Sequence, residues 1–515
     1  MIRTALLSVY RKEGVVELAR AIVRNGGGLL SSGGTAAALR DADVPVTSIE
    51  EYTGLAPGFG GRVKTLHPLV HAGILARRDV PDDLTELDSR GGRPIDLVCV
   101  NLYPFEDAVA DGRSPAERTE LIDIGGPAMI RAAAKNWEHV AVVCDPADVP
   151  GLIEEMDASG GALSRETRRR LAAKAFARTA SYDCAIAADL AEPGFGATAA
   201  VALHKVEDLR YGENPHQAAA LYSGQPCAPG ELPGGWRKLA GTELSFNNWI
   251  DLVAAAELAF AFDEDEPVAV IVKHTNPCGT ARGATQKEAW ERALAGDPVS
   301  AFGGIAAFNR PLDAEAAQAM KSLFLEVVVA PEITQGAREV FKKKSRLRLV
   351  EAPVAAFRSR RRDWRTLPGD AYLLQDDPGR PERTADWKPV TQRPPSEAEL
   401  RDLEFAWKVT ATVKSNAIVF VRDGQVLGVG AGQMSRVDSV RIAAEKAREH
   451  GHDLKGSVVG SDAFFPFPDG PKLALEAGAV AIVQPGGSKR DDETIEAVDA
   501  AGAAMIFTGR RVFRH

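Results

Sequence analysis

The sequence predicts an α/β protein of more than one domain, and three observations carry that expectation. Over the first region, strand-like and helix-like segments alternate, the pattern of a mostly parallel sheet. Much later, Val268-Ala-Val-Ile-Val-Lys273 is an apolar run rich in β-branched residues and reads as a buried strand. Finally, 515 residues exceed one ordinary core, so two or three domains are expected.

In the first region, residues 4–9, 29–32, 96–101 and 140–144 read as strands, and 14–25 and 35–42 as helices. The turns between them carry the chemistry. Ser31-Ser-Gly-Gly-Thr35 follows a strand and opens a helix, so hydroxyls, flexible glycines and free helix N–H groups converge as an anion site requires, although a Gly-Gly turn alone is a weak signal. Gly60-Gly-Arg-Val-Lys-Thr-Leu-His-Pro68 crowds Arg62, Lys64, Thr65 and His67 behind a glycine pair, which suits a phosphorylated substrate. His67 and His71 have the spacing of a helical metal pair, but Pro68 and the lack of a nearby acidic residue argue against that use. Asn101-Leu-Tyr-Pro-Phe105 ends a strand with a tyrosine. Asp123-Ile-Gly-Gly-Pro127 precedes a helix carrying Arg131 and Lys135, an arrangement that invites a carboxylate and an amine into one cleft. Residues 164–190 read as one long helix with Arg168, Arg169 and Arg170 on its solvated face, and the small, Pro- and Gly-containing stretch 191–198 as a linker.

The second region opens on the polar loop Leu209-Arg-Tyr-Gly-Glu-Asn-Pro-His-Gln217. In the strand after it, Asn276-Pro-Cys-Gly279 is expected to stop the run, so that Lys273 and His274 fall where the strand leaves the core. A turn at 300–304 and a strand at 324–331 follow. Residues 357–395, rich in Arg, Pro and Asp, read as a connector between two lobes, partly ordered at best. In the last lobe, residues 413–420 read as a strand with Asn416 embedded, Asp423-Gly424 as a hairpin turn, and a helix starts near Asp438. Ser461-Asp-Ala-Phe-Phe-Pro-Phe-Pro-Asp-Gly470 suits a pocket for a flat ring.

The formal charge of −9 leaves no basic excess for a nucleic-acid backbone, so any anion must be met by local groups. Five widely spaced cysteines in no metal or C-x-x-C pattern point to reduced thiols and a cytoplasmic protein. No signal-peptide pattern is read at the start, and no apolar run approaches the roughly 18 residues of a membrane helix.

Taken in order, Ser32-Gly-Gly-Thr35, Gly61-Arg-Val-Lys-Thr-Leu-His-Pro68, Asn101-Leu-Tyr103, Asp123-Ile-Gly-Gly126, Arg131-Ala-Ala-Ala-Lys-Asn136, Arg210-Tyr-Gly-Glu-Asn-Pro-His-Gln217, Lys273-His274, Ser415-Asn416 and Ser461-Asp-Ala-Phe-Phe-Pro-Phe467 resemble one family over nearly the whole chain. That family joins AICAR transformylase to IMP cyclohydrolase in purine biosynthesis. The resemblance implies a methylglyoxal-synthase-like parallel-sheet domain at 1–198. A two-lobed, cytidine-deaminase-like transformylase domain would follow at 199–515. It implies transfer of a formyl group from 10-formyltetrahydrofolate to AICAR, then closure of formyl-AICAR to IMP. No metal or redox cofactor is implied, since the H-x-E and P-C-x-x-C ligands of zinc deaminases are absent around His274 and Cys278. A homodimer with transformylase sites at the subunit interface is implied as well, with no nucleic acid or membrane as partner.

Residue by residue, the resemblance makes His274 the base of formyl transfer, Lys273 its electrostatic partner and Asn416 the orienting group. Arg210, Tyr211, Gly303, Glu326, Arg436, Phe464 and Arg511 would contact AICAR. Val437, Asp469, Ser488 and Lys489 would contact the folate. For cyclisation it implies Lys64, Tyr103, Asp123 and Lys135, the last as the usual proton-transfer group. Ser8, Lys12, Ser32, Gly33, Gly34, Thr35, Arg62, Thr65, Asn101 and Gly125 would hold the nucleotide. A silent nucleotide sensor is the rival reading, but it has no need of paired acids and bases. A zinc deaminase lacks its ligands.

Overall fold

A computed structural model describes residues 1–56, 58–358 and 362–515, and the chain divides into two compact units, Met1–Leu203 and His204–His515. In the first unit β1 (Thr4–Leu7), β2 (Gly28–Ser31), β3 (Thr47–Ser48), β4 (Leu97–Cys99) and β5 (Ala141–Val143) form a sheet in the order β3-β2-β1-β4-β5, parallel at every pair. The chain runs outward from β1 to β3, then places β4 on the other side. The strand order therefore reverses between β1 and β4, and open α/β sheets leave a ligand crevice at such a point, beyond the carboxyl ends of the strands. Leu6, Leu30, Val98 and Val142 are fully buried, as expected of strands covered on both faces.

The helix expected from residue 35 begins at Gly33, because Ser32 takes extended N-cap geometry and Gly33 accepts a φ of +49°. The long helix spans Arg165–Leu190 behind a Ser164 cap. Its arginines are less free than expected. Arg168 donates to the Trp137 and Leu163 carbonyls, and Arg170 pairs with Asp148, while Arg169 is exposed. Residues 191–203 carry no helix or strand.

In the second unit, β6 (His204–Leu209) and β7 (Ala219–Ser223) form a separate ribbon. A twelve-stranded sheet then falls into two similar halves. One half holds β8 (Arg237–Ala240), β9 (Val268–Lys273), β10 (Asn276–Arg282), β11 (Gly304–Phe308), β12 (Leu325–Ala330) and β13 (Arg348–Glu351). After the ribbon β14 (Arg362–Leu367) and β15 (Ala371–Asp376), the other half holds β16 (Lys388–Pro389), β17 (Ile418–Arg422), β18 (Gln425–Gly430), β19 (Ser457–Ser461), β20 (Ala479–Gln484) and β21 (Ala504–Phe507). Their order, β16-β21-β20-β19-β17-β18-β10-β9-β11-β12-β13-β8, is a mirror list about the antiparallel β10–β18 contact. Each half repeats one plan: a capped helix, a hairpin, then strands in parallel.

The helices Phe246–Ala259 and Glu397–Thr410 open the two halves, each with a serine capping box, at Ser245 and Ser396. One apolar cluster, including Val270, Val272, Val419 and Val458, runs through both halves on one face of the sheet. The opposite face is divided between two clusters, around Trp290 and around Phe465. This explains why the β9 run is apolar throughout: alternate residues serve different cores.

Three expectations are corrected here. The Asn276-Pro-Cys-Gly279 stretch, expected to stop the strand run, instead begins β10; the turn that ends β9 is His274-Thr275. The 357–395 connector is mostly ordered, supplying β14, β15 and the edge strand β16, while the part of it at 359–361 lies outside the described residues. Asn416 is not inside a strand; it precedes β17. Among the described residues no helix is long and apolar enough to cross a membrane.

Because the first unit owns a complete sheet and core, a fragment of residues 1–203 is expected to unfold in one cooperative thermal transition. Calorimetry checks this. A broad, non-cooperative melt of that fragment would show that its core is not self-sufficient.

Candidate functional sites

In the first unit the expected residues gather beyond the carboxyl ends of β1, β2 and β4. Ser8, just after β1, shares a hydrogen bond with Ser32 after β2, Oγ to Oγ 3.0 Å. Thr35 Oγ1 accepts from the Val9 amide at 3.0 Å and the Lys12 ammonium reaches it at 3.2 Å. Lys12 also donates to the Val9 and Tyr10 carbonyls, and burial lowers its pKa. Asn101, after β4, spans the crevice: its Oδ1 accepts from the amides of Tyr10 and Arg11. The Arg62-to-Thr65 stretch reaches the same place. A side chain on Gly33 would meet Lys64 Nζ at 3.8 Å, and one on Gly125 would meet Thr65 Oγ1 at 2.9 Å, so Gly125 is required by close approach. Gly34 lies in open space at the start of the helix, leaving that end accessible. Arg62 pairs with Glu120 at the surface.

Asp123 is the chemically distinctive group of this cluster. Burial pushes its carboxyl above the ordinary carboxylate range, opposed in part by the amides of Gly126 and Tyr103. Tyr103 is pushed up in turn, by burial first and then by Asp123 and Tyr10. The Tyr182 hydroxyl, which the sequence reading missed, accepts from the Asp123 amide at 2.9 Å and donates to the Leu121 carbonyl at 2.7 Å. A carboxyl, a phenol and the Lys64 amine thus lie around loops suited to a phosphate.

Lys135 stands at the far end of a helix from them. It is the last residue of the helix Gly125–Lys135, whose first turn adjoins Asp123, and ten steps of helical rise separate the two ends by about 15 Å. Helix length excludes a direct Asp123–Lys135 contact within one chain, so the shared cleft that the motif suggested needs a substrate of nucleotide length between the two. His67 has a local task, accepting the Leu69 amide on Nδ1 as the cap of Pro68–Leu75, and His71 is half-buried one turn on.

In the second unit the strand directions bring the expected residues to one edge of the twelve-stranded sheet. The carboxyl end of β9 (Lys273, His274), the amino ends of β11 and β12 (Gly303, Glu326) and the start of β17 (Asn416) lie there. So do the carboxyl ends of β18 to β21, which lead to Arg436, Phe464, Ser488 and Arg511. From β12 to β21 the edge crosses eight strand spacings, about 38 Å at 4.8 Å each, so one small substrate cannot touch all of these residues at once.

Lys273 Nζ donates to the Phe302 carbonyl at 2.8 Å, next to Gly303. His274 is exposed, and among the described residues nothing bonds its ring, which is unlike a structural histidine. Both line a cavity of about 230 Å³ with Asn276, Asp297, Ala431 and Lys446. Asn276 Oδ1 accepts from the Lys414 amide at 3.0 Å and so ties the Asn416 segment to the hairpin bearing His274.

Asn416 is fixed on every side. Its Nδ2 donates to the Gln433 and Met434 carbonyls, and its Oδ1 accepts from Arg436 Nη2 at 2.6 Å. Arg436 is nearly fully buried and ion-paired with Asp462, which also accepts from Ser415 Oγ at 2.5 Å. Arg436, expected to grip the substrate, is in this geometry bonded to Ser461, Asp462 and Asn416. Glu326 is likewise engaged, by Arg348 at 2.5 Å.

Val437 is half-buried in the first turn of Arg436–Glu449, and Asp469 opens the helix Asp469–Ala477 with its side chain exposed. The Ser488 amide donates to Asp491, and Lys489 is exposed beside it. Arg511 stacks over Phe513 at 4.4 Å, Arg210 lies over Tyr211 at 5.6 Å, and Phe464 is 37% exposed, open enough to meet a ring. Sequence reasoning missed Asp251, whose carboxylate accepts from the His274 and Thr275 amides. A signal existed: Ser245 and Ser396 are each followed six residues later by an Asp-Leu pair, Asp251-Leu252 and Asp402-Leu403.

The fold and these clusters define a two-unit α/β enzyme whose amino-terminal part is of the MGS-like type, the MGS-like domain profile matching residues 14–128. The chain belongs to the AICARFT/IMPCHase bienzyme family, whose profile matches residues 133–446. It is 51% identical over 99% of its length, and 98% of the relative's, to the bifunctional purine biosynthesis protein PurH of Cereibacter sphaeroides ATCC 17029. It is 49% identical, at the same coverages, to the PurH of Chloroflexus aurantiacus.

The raised Asp123 pKa makes a stability prediction. The folded state holds that proton more tightly than the unfolded chain, so the charge becomes a cost as pH rises through the carboxylate range and remains one above it. Asp123→Asn is expected to raise the melting temperature of the first unit at pH 7–8, with the gain fading as pH falls toward about 4 and absent below it. A melting temperature unchanged or lower at pH 8 would show that the carboxylate is not strained by burial.

Proposed function

We propose that the two units divide the family's two reactions, the second unit forming formyl-AICAR and the first closing it. The chain is a bifunctional purine-biosynthesis enzyme with formyltransferase and IMP cyclohydrolase activities, and its formyl donor is of the folate type. We take that donor to be 10-formyltetrahydrofolate, the subunits to pair as a homodimer and the protein to work in the cytoplasm.

The observation that carries the transformylase reading is His274, exposed and unpaired at the end of β9, beside Lys273 and across from the fixed amide of Asn416. The AICAR amine is a weak nucleophile because its lone pair is delocalised into the ring. His274 removes its proton as the nitrogen attacks the formyl carbon. The resulting oxyanion is met by Lys273, and the bond to the folate nitrogen then breaks as that nitrogen takes up a proton. The length of the sheet edge favours a site completed by a second copy. Gly303, Glu326 and the Lys273-His274 pair would form one part, and Asn416, Phe464, Asp469, Ser488, Lys489 and Arg511 another.

In the first unit the carboxamide nitrogen of formyl-AICAR attacks the formyl carbon and water leaves. Ser32, Gly33, Gly34 and Thr35, at the open helix start, suit the phosphate, with Lys12 and Lys64 adding charge. Asp123 and Tyr103, both shifted toward their protonated forms, are placed to exchange the protons this closure requires.

His274→Ala is expected to lower formyl transfer by about 10²–10⁴-fold with a much smaller change in AICAR affinity, while cyclisation of supplied formyl-AICAR is kept. Near-normal turnover per folded molecule would remove His274 from the mechanism. Within the first unit, Lys64→Ala should reduce cyclisation by about 10²-fold, a scale set by the loss of one oriented charged donor. Lys135→Ala, at the proton-transfer position that the family resemblance implies, should abolish most IMP formation while formyl transfer is kept, so that formyl-AICAR accumulates. Steady-state assays of formyl transfer and of IMP formation check both variants, and equal loss of the two activities at Lys135 would overturn its assignment to cyclisation.

A further inference from the structure

We propose that Asp251 is a positioning residue for formyl transfer, its carboxylate holding the His274-Thr275 turn in the conformation that presents the His274 ring. This rests on the reading of His274 as the base. Lys273 and Asn276 are paired across the hairpin, which leaves two residues for the turn, and both are left-handed: φ is +52° at His274 and +62° at Thr275. Such two-residue turns normally use Asn-Gly, Asp-Gly or Gly-Gly, since both central residues need positive φ. Histidine visits that region uncommonly, and for a β-branched threonine it is an outlier. Residues so held persist only where their surroundings over-determine them, and they cluster at functional sites.

The determinant here is Asp251, on the second turn of the helix Phe246–Ala259. Its two oxygens accept from both turn amides, Thr275 at 2.7 Å and His274 at 3.3 Å. The other half of the sheet contains the same device without the chemistry. Asp402, at the matching place on Glu397–Thr410, accepts from the amides of Asp423 and Gly424 at 2.7 Å each. That turn also has two positive φ values, +51° and +67°, but its Asp-Gly sequence adopts them unaided. The carboxylate is therefore redundant in one half and indispensable in the other, where the turn carries His274.

The test measures formyl-transfer kcat and KM, cyclisation and thermal unfolding on full-length Asp251→Ala, Asp402→Ala, Asp251→Ala with Thr275→Gly, and His274→Ala. Asp251→Ala should lower kcat by about 10²-fold, the scale of an ångström-level misplacement, with little change in KM for AICAR or in cyclisation. Thr275→Gly in that background supplies a residue at ease with positive φ and should restore most of the loss, and Asp402→Ala should keep its turnover per folded molecule. If Asp251→Ala does not fold, Asp251→Asn, which retains one acceptor, should show a smaller loss of the same kind. Equal effects at Asp251 and Asp402, normal turnover per folded Asp251→Ala, or failure of Thr275→Gly to restore activity would each overturn the proposal. Full formyl transfer by His274→Ala would instead overturn the reading of the base on which it rests.

Discussion

The second unit depends on how closely its helices can approach the two hairpins at the centre of its sheet. A side chain at Gly279 on β10 would meet the Ala293 carbonyl at 2.0 Å, and one at Gly428 on β18 would meet the Ala443 carbonyl at 2.1 Å. Neither contact tolerates a Cβ, so the helices Gln286–Gly296 and Arg436–Glu449 lie directly on the backbone of the strands that join the halves. That approach leaves β10 and β18 edge to edge, with the Arg282 amide donating to the Gly424 carbonyl at 2.9 Å. Their pairing in turn fixes the strand directions, which bring the end of β9 and the start of β17 to the same side. Lys273, His274 and Asn416 lie on one side of the sheet because of two helix-to-strand contacts that none of them makes.

How much of this was legible in the sequence follows the range of the interactions involved. The first unit was read nearly whole because its signals are local: apolar strands, capped helices and glycine turns at the carboxyl ends of successive strands. The Ser32-to-Thr35 loop and Asp123 stood out for the same reason. The His274-Thr275 turn was illegible, since neither residue prefers positive φ and the group that imposes it lies 23 residues earlier in the chain. Attention passed to the adjacent Asn-Pro-Cys-Gly, which has turn composition but forms a strand. The connector failed differently: β14 and β15 pair across six registers, from Arg362 with Asp376 to Leu367 with Ala371, yet their residues are mostly exposed, so no clean alternation marks them. Motif proximity and family resemblance grouped Lys135 with Asp123 but said nothing of their separation, which the rise of the intervening helix sets.

The charges expected at the substrate sites divide into those left free and those consumed by the fold. His274, Lys64 and Lys489 are exposed. Glu326 is bound by Arg348, and Arg62 by Glu120. With a net charge of −9, attraction of anionic substrates cannot come from the whole molecule's field; it falls to the few cations and helix ends that face each crevice.

Arg436 shows what a consumed charge can accomplish. A fully buried ion pair is a poor source of stability, because removing both charges from water costs about as much as their attraction returns, whereas losing one partner costs about 3–5 kcal/mol. The Arg436–Asp462 pair sits at 7% and 0% side-chain exposure, so stability alone is a weak reason for it. Its contacts supply a better one. Arg436 reaches the Asn416 amide oxygen and Asp462 reaches the hydroxyl of the adjacent Ser415, so one pair grips both residues of the segment that faces the hairpin. The Ser439 hydroxyl adds a bond to the Asn416 carbonyl, and Gln433 accepts its backbone amide. A flexible amide would lose orientational freedom each time substrate bound; here that freedom is given up once, on folding, and the buried charges are the means by which it is held.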